Sequence, residues 1–174
     1  SGRHEVVSVT ATVLGATGYA GSVLARLLSS HPGVEMLVLA SSSRAGMPIS
    51  EVLPELSPNG LENIFGDVLV SVEDVSERRT DVVFSALPHL SSATALEPFI
   101  DRAVVIDLSA DFRLTDPRQF EIAYGQPPTR PDLLANAVYG LPEWHRERLQ
   151  SADLIASPGC FPTTVLLPLL PVLK

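Results

Sequence analysis

The chain carries one cysteine, Cys160, in the run Ala156-Ser157-Pro158-Gly159-Cys160-Phe161-Pro162-Thr163-Thr164. Thiolate is the nucleophilic form of a cysteine, and a helix N-terminus favours it through the dipole and the free N–H groups there. A lone cysteine is more often a small buried hydrophobe. Here a short apolar strand at residues 154–156 precedes the thiol, and a helix is expected from Pro162 onward. The Pro-Gly turn therefore places the sulfur at the carboxyl edge of a sheet, where ligands bind, and points to nucleophilic chemistry. With no second cysteine there is neither an internal disulfide nor a thiolate metal cluster, which suits a reducing, cytoplasmic setting. No metal site is expected.

A second constellation is Gly15-Ala16-Thr17-Gly18-Tyr19-Ala20-Gly21. Glycine is needed where a backbone turns tightly, where it nears a pyrophosphate, and where a helix meets a strand. Free N–H groups at a helix start then hold negative charge. The spacing is G-x-x-G-x-x-G, and such a loop on its own is also ordinary turn chemistry. Its place after the first strand and at the opening of a helix points to a dinucleotide. Gly15, Thr17, Gly18, Tyr19, Ala20 and Gly21 are the candidate cofactor contacts. An NAD site places an acid near the end of the second strand, on the ribose hydroxyl. This chain has Ser41-Ser42-Ser43-Arg44 there, and Glu35 lies at the opposite end of that strand. Hydroxyls beside an arginine suit a 2′-phosphate, so Ser41, Ser43 and Arg44 point to NADP.

Positioning these residues requires alternating strands and helices. Strands are expected at residues 7–14, 35–40, 67–72, 81–86, 103–108 and 154–156, and helices at 18–30, 91–100 and 142–151. Residues 41–66 read as loop with one short helix, and residues 124–131 as an extended excursion rich in proline. The alternation predicts an α/β, doubly wound, Rossmann-type parallel sheet. Residues 1–156 are expected to be the NADP-binding domain. Residues 157–174 are expected to hold the cysteine loop and the start of the next helix, and to lead into a second domain absent from this chain. Ser1 and Gly2 read as a possible expression scar. With 45% hydrophobic residues the chain buries a core, and its net charge of −8 makes nucleic acid a poor partner. No run of ~20 apolar residues spans a membrane, and the residues from Arg3 and His4 onward do not read as a secretory leader.

Five ordered blocks carry a family resemblance: Gly15 to Gly21, Ala86-Leu87-Pro88-His89, Asp107-Leu108-Ser109-Ala110-Asp111-Phe112-Arg113-Leu114, Tyr139-Gly140-Leu141-Pro142-Glu143, and Pro158-Gly159-Cys160-Phe161-Pro162-Thr163. Together they resemble the N-acetyl-γ-glutamyl-phosphate reductases across nearly the whole chain. The resemblance implies NADPH-dependent reduction of N-acetyl-γ-glutamyl phosphate to N-acetylglutamate 5-semialdehyde in arginine biosynthesis, with Cys160 forming a thioester. It implies a small-molecule acyl phosphate as partner and a homo-oligomer at full length. Leu87, Pro88 and His89 become cofactor residues, His89 approaching the nicotinamide from a strand end. Arg113 becomes the cation for the acyl phosphate; pairing with Asp111 or Asp116 is the structural alternative. The chain departs from the family pattern at Ser157, where the family usually has Asn. The family's acid-base histidine belongs to a later domain, beyond Lys174. Alternative readings are another acyl-phosphate reductase, such as an aspartate-semialdehyde dehydrogenase, or a non-catalytic NADP-binding module.

Overall fold

The computed structural model describes residues 8–56 and 62–173. The expectations that touch Ser1, Gly2, Arg3, His4, Val7, residues 57–61 and Lys174 lie outside the described residues. The chain divides into two compact units, Ser1–Ala86 and Leu87–Lys174.

In the first unit, β1 (Val9–Leu14) runs parallel to β2 (Val34–Ala40) on one side and to β3 (Val82–Ser85) on the other. Val13 stands opposite both Leu39 and Phe84. A strand of a parallel sheet covered on both faces reads as continuously buried rather than alternating, and residues 11–14 are all buried. Thr12 is tolerated among them because its hydroxyl donates to Thr80 Oγ1 at 3.0 Å. Helix α1 (Tyr19–Ser29) packs on β1 and β2. Its Gly21 and Ala25 are buried, Leu24 and Leu28 lie against the core, and Val23 and Leu27 are exposed. Leu37, Leu39, Ile49, Leu53 and Leu69 belong to the same core.

The long loop after β2 holds one short helix, α2 (Ile49–Val52). Residues 67–72 do not form the expected strand. They make only isolated bridges, Val70 with Ala40 and Val68 with Pro48. Gly66 turns the chain at φ +70, and Ser71 accepts the Asp74 N–H at 2.9 Å to start α3 (Val72–Val75). The stretch divides its backbone hydrogen bonds between two partners, Val70 N–H donating to the Leu39 carbonyl and Leu69 N–H to the Met47 carbonyl, both at 3.0 Å, so neither pairing extends into a ladder.

In the second unit, β6 (Leu154–Ala156) lies between β4 (Val104–Asp107) and β5 (Val138–Tyr139), all parallel. Two elements here escape the sequence pattern: β5, and helix α5 (Pro117–Tyr124). The helix has plain signals, since Asp116 accepts the Arg118 N–H at 2.8 Å, Pro117 opens it, and Gly125 ends it at φ +74. Helix α4 (Ser92–Leu96) is shorter than expected. Pro98 has no N–H to continue the ladder, and Glu97–Phe99 closes as a 3-10 turn. Helix α6 (Pro142–Leu149) is broken at His145, and helix α7 (Cys160–Leu169) contains Pro168. Phe99, Phe112, Phe120 and Leu134 are fully buried. No described helix is long and apolar enough to cross a membrane.

The strands and helices thus alternate through both units as α/β, Rossmann-type architecture requires.

Candidate active site

The glycine loop begins where β1 ends. Gly15 adopts φ +78, and the N–H groups of Gly15 and Ala16 both donate to the Ala40 carbonyl at 3.0 Å. That anchors the loop to the carboxyl end of β2. The Gly18 N–H donates to the Gly15 carbonyl at 3.1 Å and closes the turn. Gly18 is the N-cap of α1, so it supplies no capping side chain, and the first turn carries no acid. The opening amides of a helix have no intrahelical acceptor. They are left for an outside anion, and Tyr19 and Ala20 beside them are exposed. Gly21 serves a different end: a Cβ there would sit 2.1 Å from the Gly15 oxygen. A Cβ at Gly18 would meet nothing nearer than 3.4 Å, so the protein itself leaves that space open. These features fit a dinucleotide pyrophosphate.

At the end of β2 the three residues of the NADP expectation part company. Ser41 is buried, its Oγ 3.1 Å from Thr17 Oγ1, and it accepts the Arg44 N–H at 3.2 Å. It therefore ties the strand end to the glycine loop. Ser43 and Arg44 are exposed. Glu35 stands at the opposite end of β2, as expected.

In the second unit, Cys160 is the first residue of α7 and is exposed. The helix thus begins two residues before Pro162. Thr163 locks the first turn, its Oγ1 donating to the Gly159 carbonyl at 2.9 Å. Arg113 reaches the same segment. Its Nε donates to the Ser157 carbonyl at 2.8 Å and its Nη2 to the Leu108 carbonyl at 2.7 Å. Its Nη1 lies so close to Gly159 that a Cβ there would be 3.2 Å from it. Neither carboxylate of the structural alternative holds this arginine. Asp116 caps α5, and Asp111 accepts two backbone N–H groups. The contact at Ser157 is made by its backbone, so serine in place of asparagine leaves it unchanged. Burial pushes the Tyr139 phenol up, and the Arg113 charge opposes that shift.

Leu87, Pro88 and His89 follow at the start of this unit, with Pro88 and His89 exposed. The His89 ring centroid is 6.0 Å from that of Tyr124. His145 lies at the break in α6 and is not placed with Cys160 by any contact described. Among the described residues no cluster of His, Cys, Asp and Glu forms a metal site.

The sequence motifs gave Asp107 no role, and Asp111 only that of an alternative partner for Arg113. Asp107 ends β4 fully buried, and accepts from Ser92 Oγ at 2.6 Å, Ser109 N at 3.0 Å and Ser109 Oγ at 2.6 Å. The available signal was two acids spaced by Leu-Ser-Ala directly after an apolar strand.

Burial holds the Asp107 carboxyl above its ordinary value of 3.8, although Ser109 and Ser92 pull it down and Asp111 adds to the rise. A carboxyl whose pKa is raised by folding favours the native state when protonated. Its contribution is complete below the unfolded value and is lost as pH climbs through the native one. The expected result is that D107N gains stability relative to the parent between about pH 4 and neutrality. An asparagine keeps one acceptor oxygen, and the Ser109 hydroxyl can rotate to accept from its amide. Denaturant midpoints of both chains across that range check this, and a pH-independent difference contradicts it.

The family described as semialdehyde dehydrogenase, NAD binding domain, matches residues 10–152, and the chain belongs to that family. Among individual proteins it is similar to N-acetyl-gamma-glutamyl-phosphate reductases. The one from Akkermansia muciniphila is 44% identical over 170 residues, which cover 95% of this chain and 48% of the relative. The one from Pseudomonas savastanoi pv. phaseolicola is 47% identical over 164 residues, covering 93% and 46%. The chain therefore spans about half the length of these curated relatives. The fold is shared with aspartate semialdehyde dehydrogenase II of Vibrio cholerae, solved in complex with ASA. That likeness has a TM-score of 0.66 and 21% identity, over 95% of this chain and 46% of the other.

Proposed function

We propose that the protein containing this chain reduces N-acetyl-γ-glutamyl phosphate to N-acetylglutamate 5-semialdehyde, with NADPH as reductant and phosphate as second product. The observation that carries the reading is the exposed Cys160 at the first position of α7, with the Arg113 guanidinium against the preceding Gly159. The Cys160 sulfur attacks the acyl carbon, the bond to the phosphate oxygen breaks, and phosphate leaves with the electron pair. This gives an acyl thioester on Cys160, splitting one difficult displacement into two easier steps. NADPH, when bound, supplies the hydride that converts the thioester to aldehyde and returns the thiolate. Arg113 spends Nε and Nη2 on backbone carbonyls, which fixes the plane of its guanidinium. Its Nη1 makes no hydrogen bond to the described residues and is the arm for the phosphate of the substrate. The names of the relatives support this substrate, and their family supports a nicotinamide cofactor.

Gly15, Thr17, Gly18, Tyr19, Ala20 and Gly21 take the pyrophosphate, Leu87, Pro88 and His89 the nicotinamide side, and Ser43 and Arg44 the 2′-phosphate. Ser41 acts by holding Thr17 and Arg44 in place. Reductase assays on the complete protein with this acyl phosphate, and with NADPH or NADH, test the reading. Absence of turnover with either nucleotide overturns it. For the cofactor choice, titration of the chain is expected to show NADP binding at least tenfold tighter than NAD. Arg44→Ala should erase roughly ten- to a hundredfold of NADP affinity, the worth of a hydrogen bond to a charged group. Equal affinities for NAD and NADP in the parent contradict the 2′-phosphate assignment.

A further inference from the structure

Leu90 is one of two described non-glycine residues with positive φ, at +66. That conformation is sterically strained for an ordinary L-residue, and a leucine side chain offers no local hydrogen bond to offset it. The turn is held from elsewhere. The Leu90 N–H donates to Asp111 Oδ1 at 2.6 Å, and the Ala93 N–H donates to Asp111 Oδ2 at 2.9 Å. One carboxylate thus grips the strained residue with one oxygen and the first turn of α4 with the other. Ser91, the N-cap of α4, makes no side-chain cap bond, so Asp111 supplies the cap from 18 residues away.

Asp111 is itself fixed. It is buried, and its N–H donates to Ser109 Oγ at 3.1 Å. Ser109 Oγ donates in turn to Asp107, which also receives the Ser92 hydroxyl. Residues 90–93 are therefore pinned to residues 107–111 at three points, and the residue directly before the pinned turn is the exposed His89.

We propose that Asp111 is a positioning residue that sets where His89 stands by enforcing the left-handed turn at Leu90. This rests on the reading of the chain as a nicotinamide-dependent reductase with His89 on the nicotinamide side. Asp111 touches neither cofactor nor substrate and acts through the turn. Asparagine at 111 retains one acceptor oxygen for two N–H groups, and its amide faces the other donor. Glycine at 90 adopts φ +66 without strain and so relieves the need for the carboxylate.

The test uses the full chain and two probes, NADPH and adenosine 2′,5′-bisphosphate, which lacks the nicotinamide. D111N is expected to weaken NADPH binding about tenfold, the scale of one lost hydrogen bond to a charged acceptor. The bisphosphate should bind as to the parent. L90G added to D111N is expected to restore most of the NADPH affinity, and H89A to mimic D111N without adding to it. Equal weakening of both probes, or no rescue by L90G, overturns the proposal in favour of general loosening. Amide hydrogen exchange gives a separate reading: the Leu90 and Ala93 N–H groups should lose protection in D111N, and unchanged protection overturns the proposal. A parent chain that binds no NADPH sinks the functional reading instead, and the exchange result still decides whether Asp111 holds the turn.

Discussion

In the complete protein, Cys160→Ser is expected to lower kcat at least a thousandfold while leaving NADP affinity and the unfolding midpoint close to the parent's. The geometry separates the two effects. Cys160 is exposed at the first position of α7, so its sulfur fills no core space that a serine would vacate. A serine hydroxyl stays protonated near neutral pH, and no described residue stands bonded to this position as a base. Thiolate chemistry is thereby lost without loss of packing. The measurement is steady-state turnover beside a denaturant titration and a nucleotide titration. Mass spectrometry of the parent mixed with acyl phosphate, without reductant, should find the acyl group on Cys160. A serine variant that keeps normal turnover refutes the covalent route. One that unfolds instead assigns the cysteine a structural role.

Gly21→Ala is expected to destabilise the first unit by about 3 kcal/mol or more, because overpacking here has no soft neighbour to yield. The added methyl would lie 2.1 Å from the Gly15 oxygen, 2.9 Å from its carbonyl carbon and 3.0 Å from the Ala16 Cα, all backbone. Relief would require α1 to move off the end of β1, and nucleotide binding should go with it. Gly18→Ala provides the contrast, since its methyl meets only the Gly15 oxygen, at 3.4 Å. That chain should fold with a midpoint near the parent's yet bind NADP at least tenfold more weakly, because the methyl occupies space a pyrophosphate would use. Normal NADP binding by the Gly18→Ala chain would remove the loop from the cofactor site.

Much of this arrangement was legible because local chemistry wrote it. The apolar run of β1, the three glycines of the loop after it, and the run His31-Pro32-Gly33, whose proline and glycine stop α1, each act within a few residues of themselves. At that stop His31 Nδ1 accepts the Gly33 N–H at 3.1 Å. Cys160 was legible for the same reason, since the strand before it and the helix after it show in the local sequence; residues 157–159 join them without the expected turn, Gly159 being extended at φ −65 and ψ 158. What escaped depends on partners remote in sequence. Nothing around Leu90 announces a left-handed residue, because the group that holds it lies at Asp111. Arg113 sits near two acids in sequence, yet it bonds to carbonyls of Leu108 and Ser157, one of them 44 positions away. The missed α5 is a different case. Its Asp-Pro start and glycine stop are local, but Pro127, Pro128 and Pro131 directly after it give the segment the composition of extended chain. β5 spans only two residues, below the length at which alternation means anything.

The scarcity of two residue types has a practical consequence. The chain has one tryptophan, Trp144, and one thiol, Cys160, and both lie in the second unit, the indole on α6 and the sulfur at the start of α7. A chromophore attached to the thiol becomes the sole acceptor for the sole indole donor. The native sequence therefore contains a built-in optical ruler. Energy transfer along it reports the folding of this unit alone, without an engineered residue, and the label simultaneously occupies the position where the acyl group is proposed to form.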